Sequence, residues 1–158
     1  MPLPTSVTTR LEYQHKSLID IIEGLSDEQI RRQVIPGKWC IFENIVHLGI
    51  SEHVFIYRLR KMCTEDNPGI EQYSAEADPF FPENCRKTTR EIMQDLISTR
   101  REMIDRVHAL KEEDILRTVT HPVYGTMNLS QLLNFFLLHE AHHLFTIFKM
   151  VPELRKQS

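Results

Sequence analysis

The sequence holds no CxxC pair. Its cysteines, Cys40, Cys63 and Cys85, are few, odd in number and widely spaced, which argues against both a disulfide framework and a thiolate zinc knot. No stretch approaches the roughly 20 apolar residues of a membrane span, so no membrane partner is expected. The opening "MPLPTSVTTR" lacks a basic region followed by an apolar stretch, and a cytoplasmic location with reduced thiols is the expectation. Positive charge is also short: the net charge is −3. The basic pairs Arg31-Arg32 and Arg100-Arg101 are interrupted by acidic residues and read as solvated helix faces. Nucleic acid is therefore excluded as the main partner, because phosphate binding needs clustered Lys and Arg. Internal repeats and low-complexity tracts are lacking too.

What remains is an ordinary globular composition, 41% hydrophobic and 26% charged over 158 residues, enough for one domain (1–158) with a hydrophobic core. Helical periodicity dominates it. Leu11, His15, Leu18, Ile22 and Leu25 step by three and four along a first helix. Ser26 and Gln29 form a capping box for a short helical turn that stops at Pro36-Gly37. A second helix runs from about Cys40 to Met62. Residues 64–84 carry three prolines and no sustained period, and read as a long loop of the kind that forms lids or binding walls. A third helix over roughly 86–110 buries Ile92, Leu96, Thr99, Met103, Val107 and Leu110, with Thr88 and Glu91 capping it. "VTHPVYGTMNL" contains a turn signal at Pro122 and Gly125. Asn128 and Gln131 then cap a fourth helix that runs to about Met150 and ends before Pro152. Four long helices with no convincing sheet predict an all-α four-helix bundle.

The fourth helix carries "LLHEAHHLF", residues 137–145, with three histidines and a glutamate inside an apolar run. At about 100° per residue, His139 and His143 lie only about 40° apart and one turn separated, so both can reach one ion. His142 falls about 60° to the other side of His139, and Glu140 points about 100° away, toward a helix interface where it packs or meets a cation. A tightly held zinc or nickel ion needs at least a third protein ligand. The best candidate is His47 in "ENIVHLGIS", with Glu43 one turn earlier placed to orient it or to bind directly. Three neutral imidazoles leave an open position, the pattern of a catalytic site. His15, His53, His108 and His121 read as packed or surface residues. "HEAHH" also satisfies the zinc-protease pattern H-E-x-x-H, but no strand precedes it to hold a peptide and only 15 residues follow His143.

"PGKWCIFENIVHL", residues 36–48, resembles the second-helix signature of the DinB-like (DinB/YfiT) superfamily, with Trp39, Cys40, Glu43 and His47 in its pattern. "HPVYGTMNLSQLLNFFLLHEAHHLFTI" resembles the last part of that superfamily: a His-Pro and Gly turn, a capped helix, then H-x-x-H-H. The resemblance implies a four-helix bundle in which His47, His139 and His143 hold a divalent metal. It also implies a low-molecular-weight thiol cofactor in some members. Where the family continues with Arg-Gly-Gln-type residues, Leu144, Phe145 and Thr146 stand here and predict a more apolar pocket.

Two main readings follow, with a third behind them. One is a metal-dependent transferase or hydrolase acting on a small molecule, its pocket lined by Trp39, Phe42, Phe136 and Tyr124 and flanked by His142. The other is a metal- or ligand-binding bundle without turnover, linked to stress; a bundle whose metal site has decayed into an interaction module is a third. The fourth helix is apolar nearly all round, with Leu137, Ala141, Phe145 and Phe148 away from the histidines, which predicts a homodimer.

Overall fold

The computed structural model describes residues 3–156. Its helices are α1 Thr5–Tyr13, α2 Ser17–Ile22, α3 Asp27–Arg31, α4 Ile41–Thr64, α5 Phe80–Asn84, α6 Thr89–His108, α7 Glu112–Ile115 and α8 Leu129–Lys156. The hairpin β1 Thr118–His121 and β2 Gly125–Asn128 precedes α8. The first two helices together, α4, α6 and α8 make the four-helix bundle. Among the described residues no helix is long and apolar enough to cross a membrane.

Local chemistry sets most of these boundaries. Ser26 Oγ accepts the Gln29 backbone N–H while the Gln29 side chain accepts that of Ser26, and Thr88 and Glu91 do the same for α6. Each closed box satisfies helix-start donors that would otherwise lack partners. Asn128 Oδ1 accepts the Gln131 N–H at 3.0 Å and Gln131 Oε1 accepts the Asn128 N–H at 3.0 Å.

Four features depart from the sequence reading. The first helix is broken at a 3₁₀ turn, Gln14–Lys16. The Gln14 amide there donates to the Leu137 carbonyl and to Glu140 Oε2, both at 2.7 Å. The loop after α4 contains a 3₁₀ turn, Ala75–Ala77, and the short α5. The predicted turn is the tip of an antiparallel hairpin pairing Val119 with Met127 and His121 with Gly125. Gly125 adopts φ +71°, which a side chain would oppose. Finally, α8 continues through Pro152. Proline deprives the Phe148 carbonyl of its donor, but Phe148 and Pro152 face solvent while Val151 and Leu154 are buried. Packing of that pair holds the last turn.

The core is split by a polar layer. One apolar cluster contains Leu11, Phe55, Met103 and Leu137; the other contains Leu18, Leu48, Leu96 and Leu144. Between these pairs, at the same level of each bundle helix, lie His15, Glu52, Arg100 and Glu140. Arg100 is completely buried. Its Nε and Nη2 donate to the two oxygens of Glu52 at 3.0 and 2.5 Å, Nη2 also to Glu140 Oε1 at 2.5 Å, and Nη1 to the Leu11 carbonyl at 3.2 Å. Burial, ahead of the neighbouring Arg100, lowers the His15 pKa to about 4, so it enters this layer neutral.

Candidate metal centre

The long α4 carries His47 on its buried face, and α8 presents His139 and His143 one turn apart. The packing of α4 against α8 brings them together. One ring nitrogen from each of the three lies within 4.8 Å of the other two. Nε2 of His47 is 2.9 Å from Nε2 of His139. Imidazole nitrogens so close either share a proton or aim their lone pairs at a common cation.

All three rings are neutral near pH 7. Burial is the largest cause in each case: it takes His47 to about 4 and His143 to about 3, and lowers His139 as well. Their mutual repulsion, and that of His142, adds to it for His143. Glu76 and Asp78, from the loop after α4, oppose the shift of His47. Neutral imidazole is the form that ligates a metal.

Asn44, one turn before His47 on α4, decides the tautomer of His143. Its Nδ2 donates to the Cys40 carbonyl at 2.9 Å. A carbonyl can only accept, so the amide orientation is forced and Oδ1 must be the atom 2.8 Å from His143 Nδ1. His143 Nδ1 therefore carries the proton, and Nε2 keeps a lone pair for a cation. Asn44 is buried, so the clamp is fixed by packing.

The spacing predicts Glu43 as an acceptor for His47, but the structure uses it elsewhere. Glu43 Oε2 accepts the Cys40 backbone N–H at 2.8 Å and closes the start of α4, while His47 Nδ1 is buried without a partner. The third residue of a helix reaches back to its cap more readily than forward to the next turn. Cys40 supplies no ready thiolate, since burial pushes its pKa up. Trp39 stands over the imidazoles, its ring 5.1 Å from His47 and 6.2 Å from His143, and stacks on Phe81 at 5.1 Å. His142 is exposed and meets the His143 ring edge-on at 5.2 Å.

A cavity of about 180 Å³ opens beside His47 and His139, with Phe136 and Tyr124 in its wall. Phe42 is not in that wall. It is buried in the lower core under the Arg31 guanidinium, 3.6 Å away. Leu144 is core and Phe145 faces solvent, so the apolar lining comes from the hairpin and from Phe135 and Phe136 instead. Three further residues line the site without standing among the sequence candidates: Tyr73, Arg58, which shares a face of α4 with His47, and His121, which reads as a packed or surface residue. The Tyr73 ring covers His47 at 5.6 Å.

The model of the DinB superfamily matches residues 10–147. This chain belongs to the DinB superfamily. Relatives in Bacillus cereus (strain 03BB102) and Bacillus thuringiensis subsp. konkukian (strain 97-27), each named "Putative metal-dependent hydrolase", are 25% identical over 127 residues, 80% of this chain and 72% of theirs. Among solved structures, YfiT from Bacillus subtilis, described as "a probable metal-dependent hydrolase with an unusual four-helix bundle topology", superposes with a TM-score of 0.82 at 19% identity, over 94% of this chain and 86% of that one. The four-helix bundle protein TT2238 superposes at 0.64 with 18% identity, over 90% and 94%. These two likenesses concern the fold.

The donor set fits a divalent metal. It consists of three neutral imidazoles, one with its tautomer fixed by a buried amide, beside an open cavity. Ligands about 2.0–2.1 Å from a tetrahedral ion stand roughly 3.3 Å apart, and the three nitrogens here lie within 4.8 Å of one another.

Proposed function

We propose that His47, His139 and His143 hold a divalent metal, zinc or nickel, and that the protein is a metal-dependent hydrolase acting on a small molecule. The convergence of three neutral imidazoles beside a cavity carries this reading. A thiol-dependent transferase is the alternative that the family resemblance implies. A metal held there would supply Lewis-acid chemistry, turning bound water or a thiol into a nucleophile near neutral pH. The chain's own residues do the rest. Asn44 orients His143, and Trp39, Phe81 and Tyr73 shield the rings from bulk water. The cavity leaves room for substrate beside His47 and His139. That opening favours an enzyme over a closed structural site.

Metal analysis of protein prepared without a histidine tag tests this directly. We expect about one divalent ion per chain, and under about 0.1 in His139→Ala. Wild-type protein that takes up neither zinc nor nickel would refute the centre.

We also propose that the outer face of α8 seats a second copy of the chain. Leu138, Phe145 and Phe148 are all more than half exposed there, whereas Leu137, which the periodicity assigns to that face, is fully buried. Exposed apolar stripes of this kind mark contact surfaces. Sedimentation velocity should show a dimer for the wild type and a monomer for Phe145→Lys; a monomeric wild type would end the proposal.

A further inference from the structure

A second set of donors lines the same cavity. Arg58 is only 7% exposed, yet a single protein acceptor engages it: its Nη2 donates to the Glu71 backbone carbonyl at 2.6 Å. Among the described residues no carboxylate pairs with it, and burial alone pulls its pKa down. A guanidinium has five N–H donors, so most of those on Arg58 lack a protein partner. Those nitrogens are not sealed off, since among the described residues the buried side-chain atoms without a partner are His15 Nδ1 and His47 Nδ1; Arg58 lines the cavity and its free donors are available to an anion there. Arg100, the other buried arginine, is by contrast enclosed with two carboxylates on its guanidinium.

His121 lines the cavity with Arg58 and is itself buried. Its Nδ1 accepts the backbone N–H groups of Val123 and Tyr124 at 3.1 and 3.3 Å. The hairpin tip thus holds the lone pair on Nδ1 and leaves the proton on Nε2. Burial and then Arg58 lower the pKa of His121, so the ring stays neutral and remains a donor. Tyr124 and Phe135 close around it, at 4.8 and 5.5 Å between ring centroids. The corner therefore combines one positive charge, unpaired N–H donors and an aromatic wall.

We infer that the substrate is a small carboxylate with an apolar or aromatic body, its carboxylate held by Arg58 and His121 and its reacting group directed toward the imidazole cluster. The second half of that statement rests on the proposed metal centre; the first does not. A planar guanidinium fork matches a carboxylate in two parallel hydrogen bonds. The single charge of Arg58 balances one carboxylate.

Benzoate is a suitable probe, titrated calorimetrically into the zinc-treated 158-residue chain, with benzamide as its neutral isostere. The wild type should bind benzoate in the millimolar range or tighter and benzamide at least about tenfold more weakly. Arg58→Met should weaken benzoate by about tenfold or more, with zinc content unchanged, and Arg58→Lys should fall between. Chelator-treated wild type should bind benzoate within about threefold of the loaded protein. Equal binding of benzoate and benzamide would overturn the inference, a result that needs no variant to fold. So would no saturable binding by about 10 mM, displacement of benzoate by equimolar inorganic phosphate, or binding lost with the metal but kept in Arg58→Met. If the wild type takes up no zinc and Arg58 still governs benzoate, the metal reading fails while the carboxylate site stands.

Discussion

Replacing Arg100 with methionine should destabilise the protein by about 3–5 kcal/mol, read as a drop in the urea midpoint at unchanged m-value. That is a large share of the 5–15 kcal/mol that usually separates native from unfolded chains. The expectation follows from what the substitution strands. Glu52 and Glu140 are both almost fully buried and both bind the Arg100 guanidinium. Burial already pushes the Glu52 carboxyl up, and the neighbouring Glu140 adds to this against the pull of Arg100. Without the guanidinium, two carboxyls must be protonated in place or left charged in an apolar interior. Gln14 would still donate to Glu140, but Glu52 would have no comparable partner. The triple variant Glu52→Leu, Arg100→Met, Glu140→Leu removes donor and acceptors together and should recover most of the loss, because well-packed apolar replacements of buried ion networks are often neutral or better. A loss under about 1 kcal/mol for Arg100→Met would show that water reaches this layer. If both variants lose stability equally, packing volume rather than charge holds the bundle at this level.

The same layer shows how far the sequence could be read. Steps of three and four place Leu11, His15 and Leu18 on one face, and Ile92, Leu96 and Met103 on another, because a helix repeats every 3.6 residues whatever it packs against. Capping boxes are equally local, so Ser26, Thr88 and Asn128 mark their helices from sequence. His139 and His143 are also legible, being four apart on one helix, and the second-helix signature points to His47. Arg100, which the sequence reading places with Arg101 on a solvated face, is instead completely buried; its partner Glu52 lies 48 positions away, and only tertiary packing shows that they share one level. The hairpin escapes because each strand has four residues, too few for alternation to stand out against a turn signal. With it go His121 and the cavity wall, since both depend on where that hairpin folds back. Asn44 escapes for a different reason: an amide has no periodic signature, and its role appears only when His143 arrives from 99 positions away.

That amide sets up the other large effect. Zinc at about 1,000 times its dissociation constant would stabilise the folded chain by about 4 kcal/mol, since an unfolded chain offers no preformed three-imidazole site. For a protein of this size each kcal/mol moves the melting temperature by about 2–4 °C, so stripping the metal with a chelator should lower it by about 8–16 °C. His143→Ala should show almost no chelator effect. Asn44→Ala keeps all three imidazoles but frees His143 to carry its proton on either nitrogen, and loss of such an orienting partner typically costs 10–100-fold in metal affinity. Its chelator shift should shrink by the equivalent of about 1.4–2.7 kcal/mol. The readout is the difference between loaded and stripped forms of one variant, so any damage that Asn44→Ala does to packing appears in both and cancels. Unchanged melting of the wild type in excess chelator would remove the metal from the folding equilibrium. A full-sized shift in Asn44→Ala would leave the ion in place but deny that the Cys40–Asn44–His143 chain of hydrogen bonds selects the tautomer.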